Sequence, residues 1–203
     1  MNKDQLREEL DEITRIFFSA KYHELDFKYF YEQRFEYPNV YLTFQFLVER
    51  IFYASEVILI IDLCKLFGKS EKFSLLRLRN KIIENYSKSD LATYMPQKDL
   101  EELFIKIETD EIQGLILKLK TTRDQYYAHL DRTRTDFSKI QINSFETSEL
   151  ISIIETILKG LQLHYFQSDI DFNMDKYEIG HNLFERLNEW ELYRSKYGLL
   201  NPE

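Results

Sequence analysis

The sequence contains few residues that interrupt helices. Its 203 residues include 5 glycines and 3 prolines, both well below average usage. Because tight turns and hairpins depend on these two residue types, so few of them favour long helices. Apolar residues make up 44% of the chain and charged residues 31%, a balance typical of a globular protein rather than a disordered one.

Cysteine is almost absent as well. The single residue, Cys64, lies inside the apolar stretch IFYASEVILIIDLCKLF. One cysteine provides neither a disulfide framework nor a zinc knuckle, so the chain suits a reducing compartment. We predict that Cys64 is a small buried apolar residue.

The chain also lacks an excess of basic residues, since its formal net charge is −8. It therefore has no overall basic footprint for nucleic acid, although a local basic patch can lie on an acidic molecule. The first apolar stretch is broken by charges, unlike a signal peptide. The most apolar window contains Glu56, Asp62 and Lys65, unlike a membrane span. We predict a cytoplasmic protein with no membrane partner.

Apolar residues recur at helical spacing along most of the chain. The spacing predicts helices over residues 3–35, 40–67, 75–86, 98–108, 111–132 and 176–197, and a further long helix that begins at Thr147. Ser74 and Asp110 are predicted N-caps, and Gly68 is a predicted C-cap residue. In the second helix the predicted inward side consists of Phe44, Leu47, Val48, Ile51, Ala54, Ile58 and Ile61.

Short loops between these helices favour antiparallel neighbours. We therefore predict an all-α, antiparallel helical bundle with additional helices. The whole chain, 1–203, is predicted to be one helical domain. Its core covers about residues 1–170, and about residues 171–203 form a C-terminal helical appendage.

Nucleotide-binding and hydrolase motifs are absent, as are metalloprotease motifs: the sequence contains no GxxxxGK[ST], GxGxxG, GxSxG or HExxH. His23 and Asp26 have part of the spacing of a helical metal site, but no further ligand accompanies them. We predict that His23, His164 and His181 are ordinary helix residues. Neither a metal nor a cofactor is predicted.

One cluster, RDQYYAHLD, brings together residue types that can do chemistry. On a helix Arg123 and His129 are turned by about 120° and lie about 9 Å apart along the axis, so they flank a strip of surface. Asp124 can orient Arg123. Histidine transfers protons near neutral pH, and arginine binds two phosphate oxygens at once. Two histidines, one from each subunit of a symmetric dimer, would supply both the acid and the base for RNA cleavage without metal.

Two structural explanations compete with this interpretation. The helix dipole favours Arg and His near a helix C-terminus without any catalytic role. Tyr126 can stack on an unpaired base or pack into the core. Arg132 and Arg134 can line a groove for RNA phosphates or form a solvated helix end.

The same residues resemble the signature of the HEPN superfamily, the all-helical domains of many prokaryotic toxin and defence ribonucleases. That signature is Arg, a polar residue, a variable gap and His, here Arg123, Asp124 and His129. The string RDQYYAHLD is most similar to the AbiU-type branch of abortive-infection proteins. The likeness is specific over about ten residues.

The resemblance implies metal-independent endoribonuclease activity in a homodimer whose two motifs face one another. It implies that His129 is the acid/base, that Arg123 clamps phosphate and that Asp124 positions them. An RNA substrate and an antitoxin protein are the partners it suggests. Two alternatives stay open: a non-catalytic HEPN-like interaction module in a defence or toxin–antitoxin system, and an unrelated helical bundle.

Overall fold

The computed structural model describes residues 1–88, 90–124, 142–172 and 179–196. Within these ranges the chain forms eight α-helices and no β-strand, which confirms the all-α prediction. None of the described helices is long and apolar enough to cross a membrane. The helices are α1 (Lys3–Glu36), α2 (Pro38–Thr43), α3 (Gln45–Phe67), α4 (Leu75–Asn85), α5 (Gln97–Phe104), α6 (Asp110–Thr122), α7 (Ser144–Phe166) and α8 (Ile179–Lys196).

The chain divides into two compact units. Unit 1 comprises Met1–Lys21 and Val57–Phe172, and unit 2 comprises Tyr22–Glu56 and Asn173–Glu203. The predicted boundary near residue 170 lies close to the division after Phe172. The prediction of one domain with a C-terminal appendage stays a prediction.

Unit 1 is an antiparallel bundle around a large apolar core. The Met1 ammonium donates to Asn85 Oδ1 at 2.9 Å, and Glu9 pairs with Lys81. These contacts join the start of α1 to the end of α4, so the two helices run in opposite directions. The largest fully buried side chains of unit 1 are Leu6, Leu10, Ile13, Phe17, Ile60, Leu63, Leu66, Phe67, Phe104, Tyr165 and Phe172.

A buried carboxylate ties α1 to α3 inside unit 1. Asp62 is 5% exposed; its Oδ2 accepts from Ser19 Oγ at 2.6 Å, and its Oδ1 accepts from Lys65 Nζ at 2.7 Å. A buried charge is tolerated when its oxygens are hydrogen-bonded. Both oxygens of Asp62 are satisfied, which explains how an acid can interrupt the most apolar stretch of the sequence.

Asp62→Ala is expected to cost about 2 kcal/mol of unfolding free energy, because it leaves the half-buried Ser19 hydroxyl without its acceptor. For a chain of this size that lowers Tm by roughly 4 to 8 °C. Thermal denaturation followed by circular dichroism measures the change. Glu12→Ala is the matched control, since Glu12 pairs with Arg15 on the surface and such pairs contribute little. Equal losses in the two variants would contradict a structural role for Asp62.

Unit 2 has a smaller core of its own. Among the described residues of unit 2, its buried apolar cluster consists of Phe30, Val40, Val48 and Phe184. The predicted helix over 40–67 is interrupted here: α2 ends at Thr43 and α3 begins at Gln45. The backbone of Phe44 leaves the helical region (φ −112°, ψ 20°), and its ring packs against Trp190 of α8 with centroids 5.5 Å apart. Tertiary packing therefore accompanies the break.

The predicted inward side of α3 is partly wrong. Val48 is buried as expected, but Leu47, Ala54 and Ile58 are exposed. Apolar residues surround this helix, so their spacing alone does not select the side that packs. Large apolar side chains are left on its outer surface.

Local capping signals set several helix starts. Ser74 caps α4 as predicted, accepting from the Arg77 N–H at 3.3 Å. The prediction of Asp110 as the cap of α6 is wrong, because Thr109 has extended backbone and accepts from the Ile112 N–H. Asp110 is instead the first helical residue, where a negative charge still favours the helix dipole.

The predicted start of α7 at Thr147 is also wrong. Asn143 is the N-cap, and its Oδ1 accepts from the N–H groups of Phe145 and Glu146, each at 3.0 Å. The Glu146 carboxylate accepts from the Asn143 N–H at 2.8 Å. This reciprocal capping box fixes the helix start at Ser144.

Candidate functional site

Helix α6 carries Arg123 at its C-terminal end. Ile112, Ile116 and Leu119 form the buried stripe that packs α6 into the core of unit 1. The Arg123 N–H donates to the carbonyls of Leu119 and Lys120. The backbone of Arg123 is therefore held by helical hydrogen bonds at a position fixed by core packing.

The end of α6 is fastened to the start of α7. Thr122 is buried; its hydroxyl donates to the Lys118 carbonyl at 2.9 Å and accepts from the Ile142 N–H at 3.2 Å. The Lys118 ammonium donates to both carboxylate oxygens of Glu146 at 2.7 Å. Because residue 122 meets 142 and residue 118 meets 146, α6 and α7 run antiparallel here. Residues 122 and 142 are thus in direct contact, although 19 residues separate them in the sequence.

Arg123 and Asp124 form an oriented pair at this place. Arg123 Nε donates to Asp124 Oδ1 at 2.7 Å, and their side chains are 33% and 55% exposed. This hydrogen bond raises the pKa of Arg123, so the guanidinium stays charged. Within the described residues no acceptor bonds its two terminal nitrogens. Those nitrogens form the fork that binds phosphate or carboxylate oxygens.

Cys64 lies close enough to this pair to feel both charges, and its thiol is unreactive. It is 1% exposed, which confirms the prediction of a buried residue, and its thiol contacts the Leu119 carbonyl at 3.8 Å. Burial raises the pKa of Cys64 to about 11, while Arg123 lowers it and Asp124 raises it. The protonated thiol is a poor nucleophile. Glu71, in the connection between α3 and α4, also raises the pKa of Arg123.

The described residues include two of the six predicted site residues. Arg123 and Asp124 are adjacent and hydrogen-bonded, as the proposed positioning role requires. Four others lie outside the described residues, in 125–141: Tyr126, His129, Arg132 and Arg134.

The described histidines do not form a metal centre. His23 is half-buried, and its Nδ1 has no hydrogen-bond partner among the residues that the structure describes. Burial raises the pKa of the neighbouring Asp26, and His23 opposes that shift. His164 is exposed on α7. Among the residues that the structure describes, no group of three or more His, Cys, Asp or Glu side chains could hold a metal ion.

Sequence patterns did not identify the residues that fasten the site. Thr122 and Ile142 meet across 20 positions, and Lys118 meets Glu146 across 28. The spacing of Asn143 and Glu146 could have located the start of α7, since it is that of a capping box. No local sequence pattern predicts the contact between Thr122 and Ile142.

The likeness to HEPN ribonucleases therefore rests on the short signature around Arg123, Asp124 and His129, and on a helical architecture. A helical architecture alone does not imply a function. Neither a family model, nor a curated protein, nor a solved structure matches the chain.

Proposed function

We propose that this chain is a metal-independent endoribonuclease of the HEPN toxin or abortive-infection type. The observation that carries the proposal is the pair formed by Arg123 and Asp124, six and five positions before His129. Asp124 engages Nε of Arg123 at 2.7 Å. No described residue bonds the two terminal nitrogens of Arg123, so they can bind a phosphate. The backbone of Arg123 holds them at a fixed point of the bundle.

The proposed reaction is an internal transesterification of RNA. One histidine removes the proton from a ribose 2′-hydroxyl, whose oxygen attacks the adjacent phosphorus. The bond from phosphorus to the 5′-oxygen breaks, and a protonated histidine gives its proton to that leaving oxygen. Arg123 stabilises the negative charge that gathers on the phosphorane oxygens. The products are a 2′,3′-cyclic phosphate and a free 5′-hydroxyl.

Two copies of the chain supply the acid and the base in this proposal. Each contributes His129, and the motif helices face one another across a two-fold axis. Tyr126 stacks on a base of the substrate, and Arg132 and Arg134 contact its phosphates. An antitoxin protein that covers this site would neutralise the activity.

Purified protein is expected to cleave RNA in the presence of EDTA, because no step needs a metal ion. The fragments should carry 2′,3′-cyclic phosphate ends, which mass spectrometry identifies. Expression without a neutralising partner should arrest growth of the host cell. RNA that stays intact at high protein concentration, or that is cut only when Mg²⁺ is added, would overturn the proposal. Binding without cleavage would favour the interaction module.

A further inference from the structure

Exposed apolar side chains are concentrated in unit 2. Of the fourteen large apolar side chains that the structure describes as exposed, nine belong to unit 2. Scattered exposed apolar residues are ordinary, whereas clustered ones mark interaction surfaces. The unit 2 residues are Tyr31, Phe35, Leu42, Phe46, Leu47, Tyr53, Trp190, Leu192 and Tyr193.

The first two turns of α3 carry the most regular part of this surface. The stretch FLVERIFY, residues 46–53, has an aromatic residue at each end and an acid and a base at its centre. Phe46 and Tyr53 are seven positions apart, so they point the same way within about 20° and lie about 10 Å apart along the helix. They are 72% and 49% exposed. With Glu49 and Arg50 they line an open depression of about 630 Å³.

Glu49 and Arg50, the two charged residues at the centre of this stretch, each have atoms that no described residue of opposite charge engages. Arg50 lies over the ring of Phe46, 4.6 Å from its centroid, and has no carboxylate partner within the described residues. Oε1 of Glu49 accepts from Gln45 Nε2 at 2.8 Å and from the Tyr41 hydroxyl at 2.9 Å, while Oε2 accepts from no described residue. These bonds lower the pKa of Glu49, so it is ionised. Adjacent helical residues point about 100° apart and do not face each other.

We propose that residues 46–53 form an interface between two copies of this chain, packed antiparallel about a two-fold axis that passes between Glu49 and Arg50. In this arrangement Phe46 of each copy faces Tyr53 of the other. Glu49 of each copy faces Arg50 of the other, so the interface contains two Glu49–Arg50 ion pairs. The pattern is complementary to itself, as a two-fold interface requires.

The balance of charge favours a second copy over RNA. A groove for a nucleic acid presents an excess of positive charge, whereas this surface offers one acid for each base. Aromatic residues together with arginine are typical of the buried centre of protein interfaces. The interface consists of unit 2 residues and does not rest on the proposed ribonuclease activity. Pairing of the motif helices would be a separate contact between chains.

A charge exchange tests the interface. Arg50→Glu places Glu49 opposite a second acid at two points and should weaken self-association at least about tenfold. Adding Glu49→Arg to give E49R/R50E restores opposite charges and should return the affinity to within about threefold of wild type. Arg15→Glu is the matched control, because Arg15 is a surface arginine on α1, 74% exposed. Analytical ultracentrifugation over a concentration series measures each assembly, and circular dichroism verifies folding.

Wild-type protein should form an assembly with an even number of chains, and R50E should halve its mass. The double variant should restore that mass, and R15E should leave it unchanged. A chain that stays monomeric at about 100 μM, well above the dissociation constants of specific interfaces, would overturn the proposal and leave the surface to another protein. An assembly insensitive to R50E, or one that E49R/R50E fails to restore, would overturn it equally.

Discussion

Replacing His129 with alanine is expected to lower the rate of RNA cleavage in EDTA by about 10²- to 10⁴-fold, the contribution of a positioned acid or base. In the two-fold site the change removes acid and base together, so residual activity should lie near the limit of detection. The loss should appear in kcat, since the imidazole acts on the transferring proton. Cleavage of a short fluorescent RNA measures it.

The matched control for this prediction is His164→Ala. His164 is exposed on α7, so its removal should change neither the rate nor Tm. Wild-type activity should show a bell-shaped dependence on pH, because one histidine must be neutral and the other protonated. Equal cleavage by the wild type and the His129 variant would refute the nuclease mechanism. A parallel loss in the His164 variant would point to a folding effect instead.

Where one local signal dominates, the sequence predicted the fold well. The start of α1 at Lys3 and the cap of α4 at Ser74 agree with the structure because apolar spacing and a lone capping residue left one solution. At the start of α6, Thr109 and Asp110 are both good caps. The choice between them depends on which residue has extended backbone, and composition does not specify that.

Helix α3 illustrates a different limit. Its apolar residues surround the axis, so periodicity predicted a helix without predicting its packed side. Leu47 was expected inside and is exposed. The break at Phe44 accompanies packing on Trp190, far away in sequence. Both wrong predictions, the packed side of α3 and its unbroken course, depend on contacts between residues far apart in sequence. Sequence patterns reflect only contacts between residues close in sequence.

The candidate site divides in the same way. The pairing of Arg123 with Asp124 could be expected from adjacency and charge. The contacts around it could not: Glu71 approaches from another connection, and Thr122 is joined to Ile142 across 20 positions. A motif can therefore name the chemical groups of a site, but the bundle determines what surrounds them.

Replacing Arg123 with alanine is expected to lower kcat by about 10²- to 10³-fold, comparable to the removal of one preorganised donor to a developing oxyanion. Arg123→Lys keeps the charge but loses the planar fork, so it should recover only part of this loss. Tm should change little, because the Arg123 side chain is one-third exposed and ion pairs near the surface contribute little stability.

Asp124 makes the test specific to the geometry. Asp124→Asn keeps an oxygen for Nε of Arg123 and should retain most activity, whereas Asp124→Ala frees the guanidinium to rotate. We expect Asp124→Ala to lose about tenfold in kcat, since a misplaced catalytic group loses rate without losing charge. Arg15→Ala is the control: Arg15 donates through Nε to Glu12 at 3.2 Å, a similar pair on an unrelated surface. If Arg123→Lys matched the wild type, or Asp124→Ala matched Asp124→Asn, an oriented phosphate clamp would be the wrong description, and Arg123 would act only as a surface charge.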